Sequence, residues 1–144
     1  MTVIRANEQT LPQAAVLACE LWPDNTPDEL LAEWGAFSPE GAAFFLAEEE
    51  GAFAGFAQCQ LRRDYVEGTE TSPVGYLEGV YVREPFRGRG LARALLQACE
   101  GWARRRGCVE FASDCELGNM DSIAFHLGAG FAEANRIVCF VKPL

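Results

Sequence analysis

An acidic residue inside an apolar stretch and a loop of arginines and glycines carry most of the potential chemistry of this chain. Glu78 lies in the middle of the apolar residues 75–82, and the loop Arg-Gly-Arg-Gly follows at residues 87–90. Glycines allow a backbone to turn its N–H groups toward a ligand, and a helix that begins after such a loop adds positive potential at its N-terminus. The loop therefore predicts an anion site that fits a pyrophosphate. An arginine-rich loop without a ligand is the alternative.

Two carboxylates are placed where a catalytic or binding group would be useful. Glu78 is costly to bury without a partner, and a carboxylate can hold a cationic amine and accept its proton. Gly79 follows it, and a glycine inside a strand often marks a bulge. Asp114 ends a later strand, where α/β sheets place ligand groups. A paired structural carboxylate at Glu78 and a turn cap at Asp114 are the alternatives.

The charge distribution favours two ligands of opposite sign. The chain has 144 residues, with 12 basic and 21 acidic side chains and a net charge of −9. Residues 1–82 contain three arginines and fourteen acidic residues, whereas residues 83–106 contain seven arginines and two glutamates. An acidic protein repels phosphate backbones and anionic lipids, so neither a nucleic acid nor a membrane is expected as a partner.

The cysteine and histidine content argues against a metal site and a disulfide framework. Six cysteines are spread along the chain without a CxxC pair, and His126 is the single histidine. This pattern lacks zinc-ligand spacing, so no metal is expected. Free thiols are typical of a reducing compartment, and the sequence shows neither a signal-peptide core nor an apolar run of about 18 residues. These features predict a cytoplasmic protein.

The order of the predicted elements indicates one mixed α/β domain over residues 1–144. Thr10 and Thr26 are the expected N-caps of the first two helices. Hairpin strands come first and strand–helix–strand units follow, so parallel neighbours are expected in the second half of the sheet. The predicted strands are residues 2–6, 42–47, 53–61, 75–82, 109–113 and 136–141, and the predicted helices are residues 10–22, 26–34, 91–106 and 119–128.

The loop and the helix after it resemble the acetyl-coenzyme A signature R-x-x-G-x-A of the GNAT acetyltransferase superfamily, here from Arg87 to Ala92. Asn119 is similar to the cap of the superfamily's next helix, and Gly130-Phe131 to its closing pair. The resemblance implies a GNAT fold, an α/β architecture in which helices flank a mixed central sheet with splayed parallel strands.

Longer runs resemble one branch of this superfamily, the aminoglycoside 6′-N-acetyltransferases. They are residues 21–23, 63–82 and 110–114, and the similarities together span nearly the whole chain. The resemblance implies direct transfer of acetyl from acetyl-coenzyme A to the 6′-amine of an aminoglycoside, without an acyl-enzyme. It also implies a homodimer, which the apolar residues 137–141 would allow.

The resemblance assigns catalytic and substrate-binding roles to five residues. Glu78 and Asp114 are the implied catalytic residues, with Glu78 as a candidate base and both in contact with substrate amines. Trp22 and Tyr65 would line the substrate site. Asn135 stands where members of the branch carry an acid that can contact substrate, so the resemblance leaves the drug range open.

The resemblance places acetyl-coenzyme A along the strand that contains Glu78 and on the loop after it. A backbone N–H of this strand would polarise the thioester carbonyl. His126 stands where many superfamily members carry a tyrosine that protonates the departing thiolate. The implied contacts of acetyl-coenzyme A are Val80, Tyr81, Val82, Arg87, Gly88, Arg89, Gly90, Leu91, Ala92, Asn119 and His126.

Two other functions are compatible with these features. One is a GNAT enzyme that acetylates another small amine, a polyamine or a protein amine, since an acidic cleft suits each of them. The other is a regulatory module that binds coenzyme A without catalysis. The tyrosine-containing loop before Glu78 favours the aminoglycoside branch over the first, and the intact Glu78 and Asp114 disfavour the second.

Overall fold

The protein is built around one five-stranded sheet whose strands lie in chain order. The computed structural model describes residues 1–144. The first three strand pairings are antiparallel and the last is parallel. The elements are β1 (Thr2–Arg5), α1 (Leu11–Leu21), α2 (Pro27–Trp34), β2 (Ala42–Glu49), β3 (Ala52–Arg62), β4 (Val74–Val82), a 3-10 turn (Glu84–Phe86), α3 (Leu91–Arg105), β5 (Phe111–Ser113) and α4 (Met120–Gly128). The predicted mixed sheet with a parallel pair in its second half is confirmed.

Helices cover both faces of the sheet and divide its core into two main parts. On one face α3 buries Leu95, Cys99 and Trp102 against the middle strands. On the other face α1 and α2 pack on a cluster that includes Phe44 and Phe56. α1 lies mainly over β3 and also reaches β2 and β4, and α2 packs beside α1, so the end of that second face over β5 remains available for a ligand.

A bulge in β4 lies at Glu78, as the glycine after it predicts. Gln58 of β3 lies opposite Gly79, whereas Cys59 lies opposite Leu77. Glu78 is therefore the extra residue that has no partner on β3. A bulge bends its strand and redirects the side chain next to it, so the sheet presents this carboxylate instead of burying it in the ladder.

The parallel pair β4–β5 is short, and β4 continues beyond it with one edge open. Only residues 75–77 pair with residues 111–113. Residues 79–82 pair with β3 on one side and have no strand on the other. This opening is the splay between parallel strands that the resemblance implies.

The last predicted strand, residues 136–141, is not formed. Residues 132–144 contain no helix or strand, and Val138 and Phe140 are exposed. A strand needs a ladder of hydrogen bonds as well as apolar residues, and within one chain no strand edge pairs with this segment. The run of apolar residues was therefore not sufficient for a strand.

The start of α1 differs from the prediction. Thr10 precedes the helix, but its side chain does not cap it. Asn7, about one turn earlier, supplies the side-chain acceptor instead. Its Oδ1 accepts from the N–H groups of Gln9 and Thr10 at 2.9 and 3.1 Å. By contrast, Thr26 caps α2 as predicted, accepting from the N–H of Glu29 at 3.2 Å.

No helix combines the length and the apolar character needed to cross a membrane.

Candidate active site

A chain of side-chain contacts connects the two predicted catalytic carboxylates. Arg62 of β3 donates to Oε1 of Glu78 at 2.7 Å. Its guanidinium also lies 3.5 Å above the centre of the Tyr76 ring. The Tyr76 hydroxyl in turn donates to Oδ2 of Asp114, at the end of β5. Glu78 and Asp114 thus belong to one polar cluster over β4 and β5.

Tyr76 stays protonated in this cluster. Burial raises its pKa well above the ordinary value, and the hydrogen bond and charge of Asp114 raise it further. Both effects disfavour a phenolate beside a carboxylate. Tyr76 therefore acts as a fixed donor that orients Asp114.

Trp22 lies against the backbone beside Glu78. A Cβ on Gly79 would be 2.6 Å from the Trp22 ring, so only glycine allows this approach. The ring also packs edge-on against Phe56 at 5.9 Å between centroids. Trp22 thus packs against the core beneath α1 and also lies next to Glu78. Its role as a wall of the substrate site stays a prediction.

The segment between β3 and β4, residues 63–73, lies over the same region and is called here the tyrosine loop. Tyr65 is 78% exposed, whereas the neighbouring Val66 is buried against Tyr76 and Ala112. Asn135 donates to Oε1 of Glu67 at 2.6 Å, so the C-terminal segment contacts this loop. The structure brings Asn135 to the loop through Glu67.

The predicted anion site is a loop with open backbone groups at the start of a long helix. The N–H groups of residues 88–93 make no backbone hydrogen bond. Gly88 and Gly90 have φ angles of 77° and 84°, and an added Cβ on either would meet no atom within 4 Å. Six free donors at the N-terminus of a 15-residue helix suit a pyrophosphate. A cavity of about 320 Å³ adjoins them, lined by Val82, Phe86, Arg87, Gly88, Gly90, Leu91, Ala92, Arg93, Ala124, Phe125 and Gly128.

The three arginines of this region are held differently. Arg87 donates through Nε to the carbonyl of Val82 at 2.7 Å, which leaves its two Nη groups for a ligand. Arg89 turns toward the β2–β3 hairpin and contacts Glu50 at 3.2 Å. Arg93 donates to the carbonyl of Gly128 at 2.6 Å, so it connects α3 to α4 across the cavity. Arg87 is the arginine best placed for a phosphate.

The open edge of β4 offers backbone groups of Val80 and Val82. Arg83 donates from its N–H to Ala54 of β3 at 2.8 Å. Backbone groups alternate along an antiparallel strand, so the N–H and C=O groups of Val80 and Val82 face away from β3, and those of Tyr81 face toward it. The backbone groups of Tyr81 are therefore used in the β3–β4 ladder, and its contact with acetyl-coenzyme A stays a prediction.

His126 and Asn119 both make contacts within the protein. His126 Nδ1 lies 2.7 Å from the carbonyl of Ser122, and its Nε2 lies 2.8 Å from the hydroxyl of Ser113. A carbonyl only accepts, so Nδ1 carries a proton. Asn119 caps α4 by accepting from the N–H of Ser122 at 3.2 Å. Their contacts with acetyl-coenzyme A stay predictions.

Sequence reasoning missed Arg62, Tyr76 and Ser113 as parts of the site. Tyr76 offered a signal, since it lies two residues before Glu78 in the same strand, and alternate residues share a face. Arg62 and Ser113 offered none, because their contacts depend on how strands and helices are placed in three dimensions.

No group of three or more His, Cys, Asp or Glu side chains could hold a metal ion.

Comparison with known proteins relates this geometry to one group of enzymes. The profile of the acetyltransferase (GNAT) family matches residues 6–131. Proteins named aminoglycoside N(6′)-acetyltransferase type 1 are similar over almost their full length. The one from Serratia marcescens is 39% identical, covering 99% of both chains, and the one from Stenotrophomonas maltophilia is 43% identical, covering 99% of this chain and 94% of that protein.

Solved structures agree with the sequence comparison. AAC(6′)-Iy in complex with the bisubstrate analog CoA-S-monomethyl-acetylneamine has a TM-score of 0.93 and 34% identity, covering 99% of this chain and 98% of that one. The apo aminoglycoside 6′-N-acetyltransferase AAC(6′)-IG from Acinetobacter haemolyticus has a TM-score of 0.91 and 36% identity, covering 100% and 99%.

Proposed function

Because the chain belongs to the acetyltransferase (GNAT) family, we propose that it transfers the acetyl group of acetyl-coenzyme A to the 6′-amino group of aminoglycosides. The observation that carries this proposal is the position of Glu78. Glu78 lies on a bulge where β4 diverges from its parallel neighbour β5. The polar cluster with Arg62, Tyr76 and Asp114 lies beside it, and the anion loop, residues 87–90, follows the strand. An amine held by Glu78 would therefore meet a thioester lying along the open edge.

The residues of the chain supply binding, orientation and proton transfer. Glu78 holds the substrate ammonium and accepts its proton, which leaves a neutral amine. The amine nitrogen attacks the thioester carbonyl carbon, the carbon–sulfur bond breaks, and the sulfur leaves as a thiolate. The thiolate takes up the proton that the new amide nitrogen loses. N–H groups of Val80 and Val82 face the open edge, where they can polarise the carbonyl.

Charge supports an aminoglycoside as the substrate. Glu78 and Asp114 face a substrate that carries several ammonium groups, and the free N–H groups of residues 88–93 face an anionic co-substrate. Arg62 already occupies Glu78 with a cationic group at 2.7 Å. The site is thus built to hold a cation against this carboxylate. The single domain over residues 1–144 contains all of these groups.

Coenzyme A release in the presence of a panel of amines tests the proposal. The panel contains kanamycin, tobramycin, an aminoglycoside with a 6′-hydroxyl group, spermidine and a lysine peptide. We expect turnover with the 6′-amino drugs and none with the 6′-hydroxyl drug. Turnover only with spermidine or the peptide would keep the fold and contradict the aminoglycoside proposal. Binding of coenzyme A without turnover would indicate the regulatory module.

We also propose that the protein is a homodimer whose interface includes residues 137–144. Four apolar side chains in one short segment, Ile137, Val138, Phe140 and Val141, are 67 to 94% exposed. β5 is a short edge strand with no neighbour on its outer side. A second copy would bury the apolar side chains and satisfy the free edge.

Charge introduced into this segment should convert a dimer into monomers. We expect Val138→Asp/Phe140→Asp to halve the mass measured by light scattering, because two buried carboxylates would oppose association. Val16→Asp, at an exposed position of α1, is the control and should leave the mass unchanged. A wild-type protein that is monomeric at micromolar concentration would contradict the proposal.

A cytoplasmic location is proposed from the cysteines. All six are free thiols, and the proposed co-substrate is an intracellular metabolite. Persistence of reduced thiols is expected in a reducing compartment.

A further inference from the structure

Glu110 lies just before β5, and its side chain accepts hydrogen bonds from the tyrosine loop. Its Oε1 accepts from the N–H of Glu70 at 2.9 Å and from the N–H of Thr71 at 2.8 Å. The Thr71 hydroxyl donates to the same oxygen. One carboxylate oxygen therefore holds three donors of a segment that has no helix or strand of its own.

The backbone of Glu110 is held rigidly by the sheet. Its carbonyl accepts from the N–H of Gly75 at 3.1 Å, at the start of the β4–β5 pairing. The side chain thus extends from a fixed point, and the loop is the partner that can move. Three hydrogen bonds also lower the pKa of Glu110, with the Thr71 hydroxyl as the largest cause, so the side chain is a carboxylate at neutral pH.

Glu110 shares a face of the sheet with the polar cluster. Alternate residues of a strand point to one side, so Glu110, Ala112 and Asp114 form a row. Ala112 packs under Val66 of the tyrosine loop, and Asp114 accepts from Tyr76. The opposite row, with Phe111 and Ser113, faces α3 and α4. Glu110, which binds the tyrosine loop, and Ala112, which packs against it, therefore lie in one row with the predicted catalytic residue Asp114.

Hydrogen bonds within the tyrosine loop connect its second half, which contains Glu70 and Thr71, to its first half, which contains Tyr65. Ser72 donates to the carbonyl of Arg63 at 3.0 Å and closes its base. Thr69 donates from its hydroxyl to the carbonyl of Val66 at 2.7 Å and folds its middle. Tyr65 lies between these two closures. Holding Glu70 and Thr71 therefore restricts the positions that Tyr65 can take.

We propose that Glu110 is a positioning residue for aminoglycoside binding, which holds the tyrosine loop in the conformation that presents Tyr65 and Glu67 to the substrate. This inference rests on the proposed function, since it assigns the loop to the substrate site. Glu110 does not touch the reacting atoms. Its effect should appear in the binding of the aminoglycoside and not in that of acetyl-coenzyme A, whose loop begins beyond β4.

Kinetics of Glu110→Ala test the positioning role. We expect the KM for kanamycin to rise about tenfold, the scale of losing hydrogen bonds to a charged group in a partly exposed site. The KM for acetyl-coenzyme A and the melting temperature should stay close to wild type. Glu110→Gln keeps an acceptor oxygen without the charge and should recover most of the loss. Glu33→Ala, an exposed carboxylate on α2, is the control.

Amide hydrogen exchange gives a readout that does not depend on activity. The amides of Glu70 and Thr71 should exchange faster in Glu110→Ala, while those of β3 and β4 remain protected. Thr71→Val removes one of the three donors, and its effect on KM should be non-additive with Glu110→Ala, since the two residues form one contact.

The outcomes separate this inference from the proposed function. An unchanged kanamycin KM in Glu110→Ala, with active wild-type enzyme, would overturn the positioning role and leave the proposed function standing. Unchanged exchange at residues 70 and 71 would overturn the anchoring itself. A wild-type protein that acetylates no aminoglycoside would overturn the proposed function, and with it the role of Glu110 in binding that substrate.

Discussion

Glu78→Gln should lower kcat/KM for aminoglycosides by about 10²–10⁴-fold, the usual contribution of a positioned general base. Glutamine keeps the size of the side chain and one acceptor oxygen, but it can neither take the proton of the substrate ammonium nor balance its charge. The bulge depends on Gly79 and the backbone register, so it should persist. Initial rates with kanamycin and acetyl-coenzyme A measure the effect.

A matched control separates the base from a structural ion pair. Glu100→Gln also removes a carboxylate that pairs with an arginine, since Glu100 lies 3.6 Å from Arg104 on α3. This variant should keep wild-type rates. Coenzyme A binding by Glu78→Gln, measured by calorimetry, should match wild type. If Glu78→Gln retained more than about a tenth of wild-type kcat/KM, Glu78 would be no more than a binding residue.

Arg62 already pairs with Glu78 before any substrate binds. It neutralises the carboxylate while also resting on the Tyr76 ring, so the free enzyme does not leave a partly buried charge unpaired. An incoming ammonium would share Glu78 with Arg62 or displace it. Asp114, oriented by the Tyr76 hydroxyl, would then supply a second anionic contact next to it. The cluster is thus arranged for exchange of one cation for another.

The features predicted best from the sequence are those set by neighbouring residues. The bulge follows from Glu78 and Gly79 in one strand, and the loop with free N–H groups follows from glycines directly before a helix. Each requires only local backbone conformation and helix polarity. The cap at Thr26 belongs to the same class.

The features that were missed depend on contacts between distant segments. The pairing of Arg62 with Glu78 requires the β3–β4 register, and that of Tyr76 with Asp114 requires the parallel β4–β5 pairing. The tyrosine loop is anchored by Glu110, forty residues away from Glu70. The predicted strand at residues 136–141 is not formed for a related reason, because a run of apolar residues cannot supply the partner strand that a ladder of hydrogen bonds requires.

Arg87→Ala should raise the KM for acetyl-coenzyme A about 10- to 100-fold and leave the KM for kanamycin nearly unchanged. Hydrogen bonds to charged groups contribute about 1.5–3 kcal/mol, and about 1.4 kcal/mol corresponds to a tenfold change. The carbonyl of Val82 fixes Nε of Arg87 at 2.7 Å, so the guanidinium is oriented before a phosphate arrives. Steady-state kinetics with each substrate varied in turn measure the effect.

The acyl donor can show whether Arg87 acts on the pyrophosphate. Acetyl-pantetheine carries the same thioester without a pyrophosphate, so Arg87→Ala and wild type should use it equally well. Arg105→Ala, an exposed arginine at the other end of α3, is the control for the general loss of positive charge. Arg89→Ala should have a smaller effect than Arg87→Ala, because Arg89 already contacts Glu50.

The same comparison separates the contribution of Arg87 to pyrophosphate binding from that of the backbone N–H groups of residues 88–93. If Arg87→Ala impaired acetyl-pantetheine as strongly as acetyl-coenzyme A, the arginine would be shaping the loop through its bond to Val82. If Arg87→Ala had no effect with either donor, the free N–H groups of residues 88–93 would bind the pyrophosphate alone. An effect of Arg87→Ala confined to acetyl-coenzyme A would indicate that both groups bind the pyrophosphate. The N-terminus of α3 then supplies oriented N–H donors, and Arg87 supplies a full positive charge.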